Sequence, residues 1–139
     1  MVDEGANVTP EAMGRAGWMT LHTFAAAYPR TPEPEDQQRM AAFIDAWSHL
    51  YPCKHCAAHM RDCIEEDPPK MQSREALSVW MCELHNKVNE VLDKPQFDCS
   101  LDSIMQRWAP GYRKKKPSKA GPLNHLDCES FCPEDKRKF

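Results

Sequence analysis

The stretch "SREALSVWMCELHNKVNEVL" (residues 73–92) carries two unlike stripes on one helix. Leu77, Trp80, Met81, Leu84, Val88 and Val91 recur at spacings of three and four, the period of an amphipathic helix turned toward a core. On the opposite side Cys82, His85, Asn86 and Asn89 form a polar column that a bare core would not welcome. Ser73 suits the cap and Glu75 the positive end of the helix dipole, and "KPQFDC" (94–99) ends the run near Leu92.

The same period governs the rest of the chain. "TPEAMGRAGWMTLHTFAAAYP" (9–29) has Thr9 as cap, Pro10 at the first helical position and Pro29 as stop, which predicts a helix over about 10–28. Its apolar stripe is Met13, Gly17, Leu21, Phe24 and Tyr28, and a second stripe holds Arg15, Trp18 and His22. Residues 35–50 form a second helix with Met40, Phe43, Ile44 and Trp47 toward the core. Pro52 then blocks continuation and sets Cys53 at the cap or first position of a third helix, which runs to about Glu66 before "DPPK". "SLDSIMQRW" gives a short fifth helix over about 100–109. No segment shows sustained period-two alternation, so the expected class is all-α.

Length and composition fit one domain: 139 residues, 41% of them hydrophobic. A lead over 1–9, a helical domain over 10–109, a Pro-, Gly- and Lys-rich linker over 110–127 and a tail over 128–139 are expected. The net charge of −3 is uneven. Residues 110–139 hold 8 of the 18 basic and 4 of the 21 acidic side chains, so the tail is +4 and the remainder −7. "RKKKPSK" (113–119) beside Pro and Gly reads as a solvated linker, and no nucleic-acid partner is expected. No run approaches the roughly 20 apolar residues of a membrane span. "MVDEGANVTPE" lacks the basic and apolar regions of a signal peptide, so export by another route is expected.

Seven cysteines exceed ordinary usage in a reducing compartment and point to an oxidising one or to a metal site. An odd number leaves at least one unpaired within the chain. Three arrangements compete. Cys53, Cys56, Cys82 and His85 have the ligand types of zinc, and would make the chain a non-catalytic zinc-stabilised adaptor; against this, 25 residues separate the two pairs and both lie on helices rather than knuckles. Alternatively the cysteines are structural: a Cys82–Cys99 bridge would enclose 16 residues. Thirdly, Cys53 and Cys56 lie at a helix N-terminus, where amide N–H groups and the dipole favour the thiolate that exchanges disulfides. A thioredoxin-type frame would need βαβ elements that the sequence lacks. The electron acceptor would then come from elsewhere. Trp18 and Trp80 supply stacking rings, Arg15, His22, His85, Asn86 and Asn89 polar groups, and Lys94 and Arg107 positive charge, a set suited to a flavin dinucleotide.

"GRAGWMTLHTFAAAYP", "YPCKHCAAHMR", "WMCELHNKVNEVLDKPQFDC" and the Cys82-to-Cys99 spacing together resemble the Erv/ALR family of FAD-dependent sulfhydryl oxidases over about residues 13–109. The resemblance implies a four-helix bundle with a short fifth helix, FAD at its mouth and a homodimer. It implies a catalytic Cys53–Cys56 disulfide, with Cys56 nearest the flavin and Cys53 the interchange thiol, and a structural Cys82–Cys99 disulfide. The implied FAD shell is Gly14, Arg15, Trp18, His22 and Tyr28 on the first helix, then Cys56, His59, Trp80, Cys82, His85, Asn86, Val88, Asn89, Leu92, Lys94, Phe97, Arg107 and Trp108. The stretch from Cys99 to "RW" is about two residues longer than in animal members, which would displace Arg107 and Trp108.

No cysteine precedes the first helix. The second close pair is C-terminal, "CESFC", as in plant and kinetoplastid members, and implies a Cys128/Cys132 shuttle between reduced substrate proteins and Cys53–Cys56. Oxygen or cytochrome c is the implied final acceptor, and the mitochondrial intermembrane space the implied compartment. Cys63 remains as a packed apolar thiol.

Overall fold

The computed structural model describes residues 8–109 and 111–112. Among them are five helices and no strand: α1 (Pro10–Ala27), α2 (Pro34–Leu50), α3 (Lys54–Glu66), α4 (Arg74–Val91) and α5 (Leu101–Trp108). Local chemistry sets their ends. The hydroxyls of Thr9, Ser73 and Ser100 accept from the amides of Ala12, Ala76 and Ser103, and prolines occupy the first positions of α1 and α2. At α2 the carboxylate of Asp36 also accepts from the Glu33 amide at 2.9 Å. Cys53 caps α3, its sulfur accepting from the Cys56 amide at 3.4 Å.

α1 packs along α4, and α2 along α3. Their shared core comprises Leu21, Ala25, Ile44, Met60, Cys63, Leu77, Trp80, Met81 and Leu84, with Met40, Phe43 and Trp47 against its edge. Each large side chain taken fully out of water stabilises the fold by about 1.5–3 kcal/mol. Where α1 and α4 approach, Ser78 donates to the Ala25 carbonyl at 3.1 Å. Gly17 has an equally local reason: a Cβ there would sit 3.2 Å from Trp47, so its absence lets that ring lie against α1.

α5 rests on both α1 and α4, and a separate apolar cluster of Ala26, Met105 and Ala109 joins it to α1. This arrangement leaves the polar column of α4 facing α1 and α5 rather than solvent alone. Two apolar expectations are corrected. Phe24 is 49% exposed and stacks on Phe43, because it falls at the α2 edge of α1 rather than at its α4 face. Val91 is 67% exposed, because the last turn of α4 passes beyond the core.

Candidate redox and cofactor site

α4 ends in a Schellman motif, in which the Lys94 amide reaches the Asn89 carbonyl at 2.8 Å and the Asp93 amide reaches that of Glu90 at 3.2 Å. Asp93 takes the left-handed conformation (φ 54°) usually given to glycine. The chain therefore turns back along α4, and Asn86 holds it there: its amide group accepts from the Phe97 N–H and donates to the Phe97 carbonyl, both at 2.9 Å. The Cys82–Cys99 disulfide, with Cα atoms 5.7 Å apart, fixes the end of the same loop.

This loop walls a cavity of about 370 Å³ between α1, α4 and α5, lined by His22, Cys82, His85, Asn89, Lys94, Pro95, Gln96, Phe97, Arg107 and Trp108. One side is built of rings. Trp18 stacks on His85 (centroids 3.9 Å apart, planes at 7°), and His22 stacks on Trp108 (4.2 Å, 5°). The two stacks are joined by a 2.8 Å hydrogen bond between His22 Nε2 and His85 Nδ1, in which one ring donates and the other accepts. Burial, followed by the charges of the His85 and Arg107 side chains, lowers the pKa of His22 from 6.5 to about 3. Burial and Lys94 lower His85 to about 4. Both imidazoles are neutral at physiological pH.

His22 Nδ1 and Trp108 Nε1 are buried with no hydrogen-bond partner among the described residues. An unsatisfied buried polar atom costs about 1–3 kcal/mol. Such atoms at a cavity flanked by flat rings and by Lys94 and Arg107 fit a planar, hydrogen-bonding, anionic ligand. FAD has all three properties, so these residues fit it.

Of the residues expected around a flavin, His22, Cys82, His85, Asn89, Lys94, Phe97, Arg107 and Trp108 converge on this cavity. Trp18 supports it through His85, and Asn86 through the loop. Gly14 instead faces Tyr51, and Arg15 is exposed. Tyr28 is 3% exposed and donates to the Met71 carbonyl, while Trp80 is 1% exposed and donates to that of Asp67. Both side chains anchor the segment between α3 and α4. His59 contacts Cys63 Sγ at 3.6 Å. Val88 is half-buried and Leu92 exposed, and neither lines the cavity. Pro95 and Gln96 join its wall unforeseen, since only the Schellman turn brings their segment back over α4.

Cys53 and Cys56 form a disulfide, with Cα atoms 5.2 Å apart, at the exposed start of α3. His55 lies beside it with both ring nitrogens 3.5 Å from Cys53 Sγ, a neighbour that "CKHC" already displays in sequence. The four-ligand zinc arrangement is corrected. Cys82 is bonded to Cys99, and His85 is engaged with Trp18 and His22, so neither is available to a metal shared with Cys53 and Cys56. Among the described residues Cys63 is a free thiol, buried in the core, its pKa raised chiefly by that burial. Cys128 and Cys132 lie outside the described residues.

The model of the Erv1/Alr family matches residues 15–109, a segment holding both disulfides and the whole cavity wall. The chain belongs to the Erv1/Alr family. The mitochondrial FAD-linked sulfhydryl oxidase ERV1 of Saccharomyces cerevisiae is 44% identical over 102 residues, 73% of this chain and 53% of the relative. The FAD-linked sulfhydryl oxidase ERV1 of Oryza sativa subsp. japonica is 38% identical over 76% of this chain and 53% of its own length. The chain thus spans about half the length of these curated relatives. The crystal structure of the yeast Erv1 core superposes with a TM-score of 0.76 at 40% identity, covering 81% of this chain and 94% of that one.

Proposed function

We propose that this chain is an FAD-dependent thiol oxidase that makes disulfides in cysteine-containing substrate proteins. The observation that carries the proposal is the ring-lined cavity with its two unpartnered buried nitrogens, present on the same fold as an exposed CxxC disulfide. Family membership and the FAD-linked names of the relatives support it.

In this reading a substrate thiolate attacks Cys53 Sγ and Cys56 leaves as thiolate; a second substrate thiolate then completes the exchange, so that two substrate thiols become one disulfide and Cys53–Cys56 becomes a dithiol. The fold assists at stated atoms. The Cys56 amide donates to Cys53 Sγ, and the N-terminal end of α3 stabilises negative charge on either sulfur. His22, His85, Asn89, Lys94, Phe97, Arg107 and Trp108 would hold FAD, the neutral imidazoles offering flat hydrogen-bonding rings and Lys94 and Arg107 positive charge. When bound, FAD supplies the two-electron redox chemistry that no side chain possesses. Oxygen, yielding hydrogen peroxide, or cytochrome c would be the acceptor.

Cys128 and Cys132 would relay electrons from substrate proteins to Cys53. The chain would act as a homodimer in the mitochondrial intermembrane space, the compartment being suggested by the mitochondrial name of the yeast relative. Among the described residues no helix is long and apolar enough to cross a membrane.

Purified protein is expected to show flavin absorbance and thiol-dependent oxygen uptake; a colourless protein without uptake would refute the reading. Cys128→Ser should spare oxidation of dithiothreitol and impair that of a protein thiol substrate, whereas equal loss with both would remove the relay. Light scattering tests the dimer, cytochrome c reduction under anaerobiosis the acceptor, and cell fractionation the compartment.

A further inference from the structure

We infer that the reduced form of the Cys53–Cys56 pair, together with His55, is a binding site for a thiophilic divalent cation such as Zn²⁺. The ligating atoms of these three residues lie within 4.8 Å of one another on the exposed start of α3. The distances suit tetrahedral zinc. With Zn–S of about 2.3 Å and Zn–N of about 2.0–2.1 Å, neighbouring sulfur and nitrogen ligands stand about 3.6 Å apart and two sulfurs about 3.8 Å. His55 already holds its ring nitrogens 3.5 Å from Cys53 Sγ. The two sulfurs, bonded in the disulfide, separate to a non-bonded contact close to that spacing once reduced. Three protein ligands at an exposed position leave the fourth to water or to an incoming thiolate.

This site is distinct from the four-ligand set excluded above, because it uses His55 and neither Cys82 nor His85. It is also conditional on redox state. Reduction delivers two electrons and two protons from a substrate dithiol, which leaves as a disulfide; binding of the cation then releases the two thiol protons to solvent. The oxidised pair has no thiolate to offer. By linkage, a cation that binds only the dithiol stabilises it: a hundredfold excess over its Kd shifts the dithiol–disulfide equilibrium about a hundredfold, or about 59 mV toward positive potential for a two-electron couple. A pair held in this way is a poorer electron donor, so the cation restrains turnover. Binding itself needs only a reducible Cys53–Cys56 disulfide, and the restraint of turnover alone rests on the oxidase reading.

The test uses the full-length chain carrying Cys128→Ser and Cys132→Ser, which removes the second close cysteine pair. After anaerobic reduction it should retain one Zn²⁺ per chain through gel filtration, and the air-oxidised form none. Co²⁺ in place of Zn²⁺ should give the visible d–d bands of a tetrahedral thiolate site. His55→Ala should weaken affinity at least about tenfold, and Cys53→Ser should remove the bands. Absence of stoichiometric metal from the reduced protein, or unchanged affinity in His55→Ala, would overturn the site. Metal binding without inhibition of oxygen uptake would overturn the restraint on turnover, and flavin absorbance, scored separately, reports on the oxidase reading.

Discussion

Cys53–Cys56 spans three positions at the start of α3, whereas Cys82–Cys99 ties the buried middle of α4 to the segment leading into α5. Cys56 is exposed, and Cys53 is the helix cap with an amide hydrogen bond and an imidazole at its sulfur. Cys82 is 1% exposed and its partner lies under the Asn86 side chain, which donates to Cys99 Sγ at 3.3 Å. A thiolate is stabilised and reachable in the first case and penalised in the second. In the proposed reading, the same bond serves exchange at a helix N-terminus and constraint between helices.

Breaking each bridge should have opposite consequences. Cys53→Ser or Cys56→Ser is expected to abolish thiol-dependent oxygen uptake while changing the melting temperature little, because the closed loop is short and on the surface; calorimetry and an oxygen electrode measure both. Cys82→Ala combined with Cys99→Ala should cost about 3 kcal/mol of stability, a fall in Tm of roughly 10–20 °C for a domain of this size. Retained stability in that double variant would mean that Asn86 and the Schellman turn hold the loop unaided.

A third expectation concerns acid. His22 and His85 have folded-state pKa values depressed from 6.5 to about 3 and about 4, so below pH 6.5 the unfolded chain binds protons that the folded one refuses. Their contribution to stability is complete above about pH 6.5 and declines as pH falls toward 4 and then 3. Urea unfolding at pH 7.5 and pH 5 should show this loss, and His85→Gln should reduce it. Pair Cys53–Cys56, far from these rings in function, should show no matching change in its exchange rate beyond that of thiolate supply. The smallest effect belongs to Trp108→Phe. It removes the unpartnered Nε1–H but keeps the ring stacked on His22, so the flavin-free protein should be no less stable. Flavin affinity should fall by about two- to tenfold, the value of one neutral hydrogen bond; unchanged affinity would mean that the group bonds to nothing in the ligand.

Much of this was legible in one dimension. Prolines 10, 29 and 52 and the hydroxyls of Thr9, Ser73 and Ser100 act on adjacent backbone, so helix ends fell within a residue or two of expectation. The polar column on α4 pointed to a ligand because buried polar groups must be satisfied wherever they lie. The division of labour within that column was not legible. His85 stacks and hydrogen-bonds, Asn86 clamps a loop, and Asn89 lines the cavity, although all three share one face. Tyr28 and Trp80 looked equally suited to a ligand and instead send their polar tips to the Met71 and Asp67 carbonyls. Asp93 gave no glycine signal for the turn that folds residues 94–97 over the cavity.

By itself the sequence determined the all-α class, the five helices, the helix-capping position of Cys53 and the chemistry available at the CxxC pair, because each depends on periodicity or on groups a few residues apart. Tertiary structure alone decided which polar side chains meet at the cavity and which two nitrogens are left there without partners among the described residues. The physical reason is reach: capping and amphipathicity act within one or two helical turns, whereas pairing buried groups depends on how α1, α4 and α5 settle against one another.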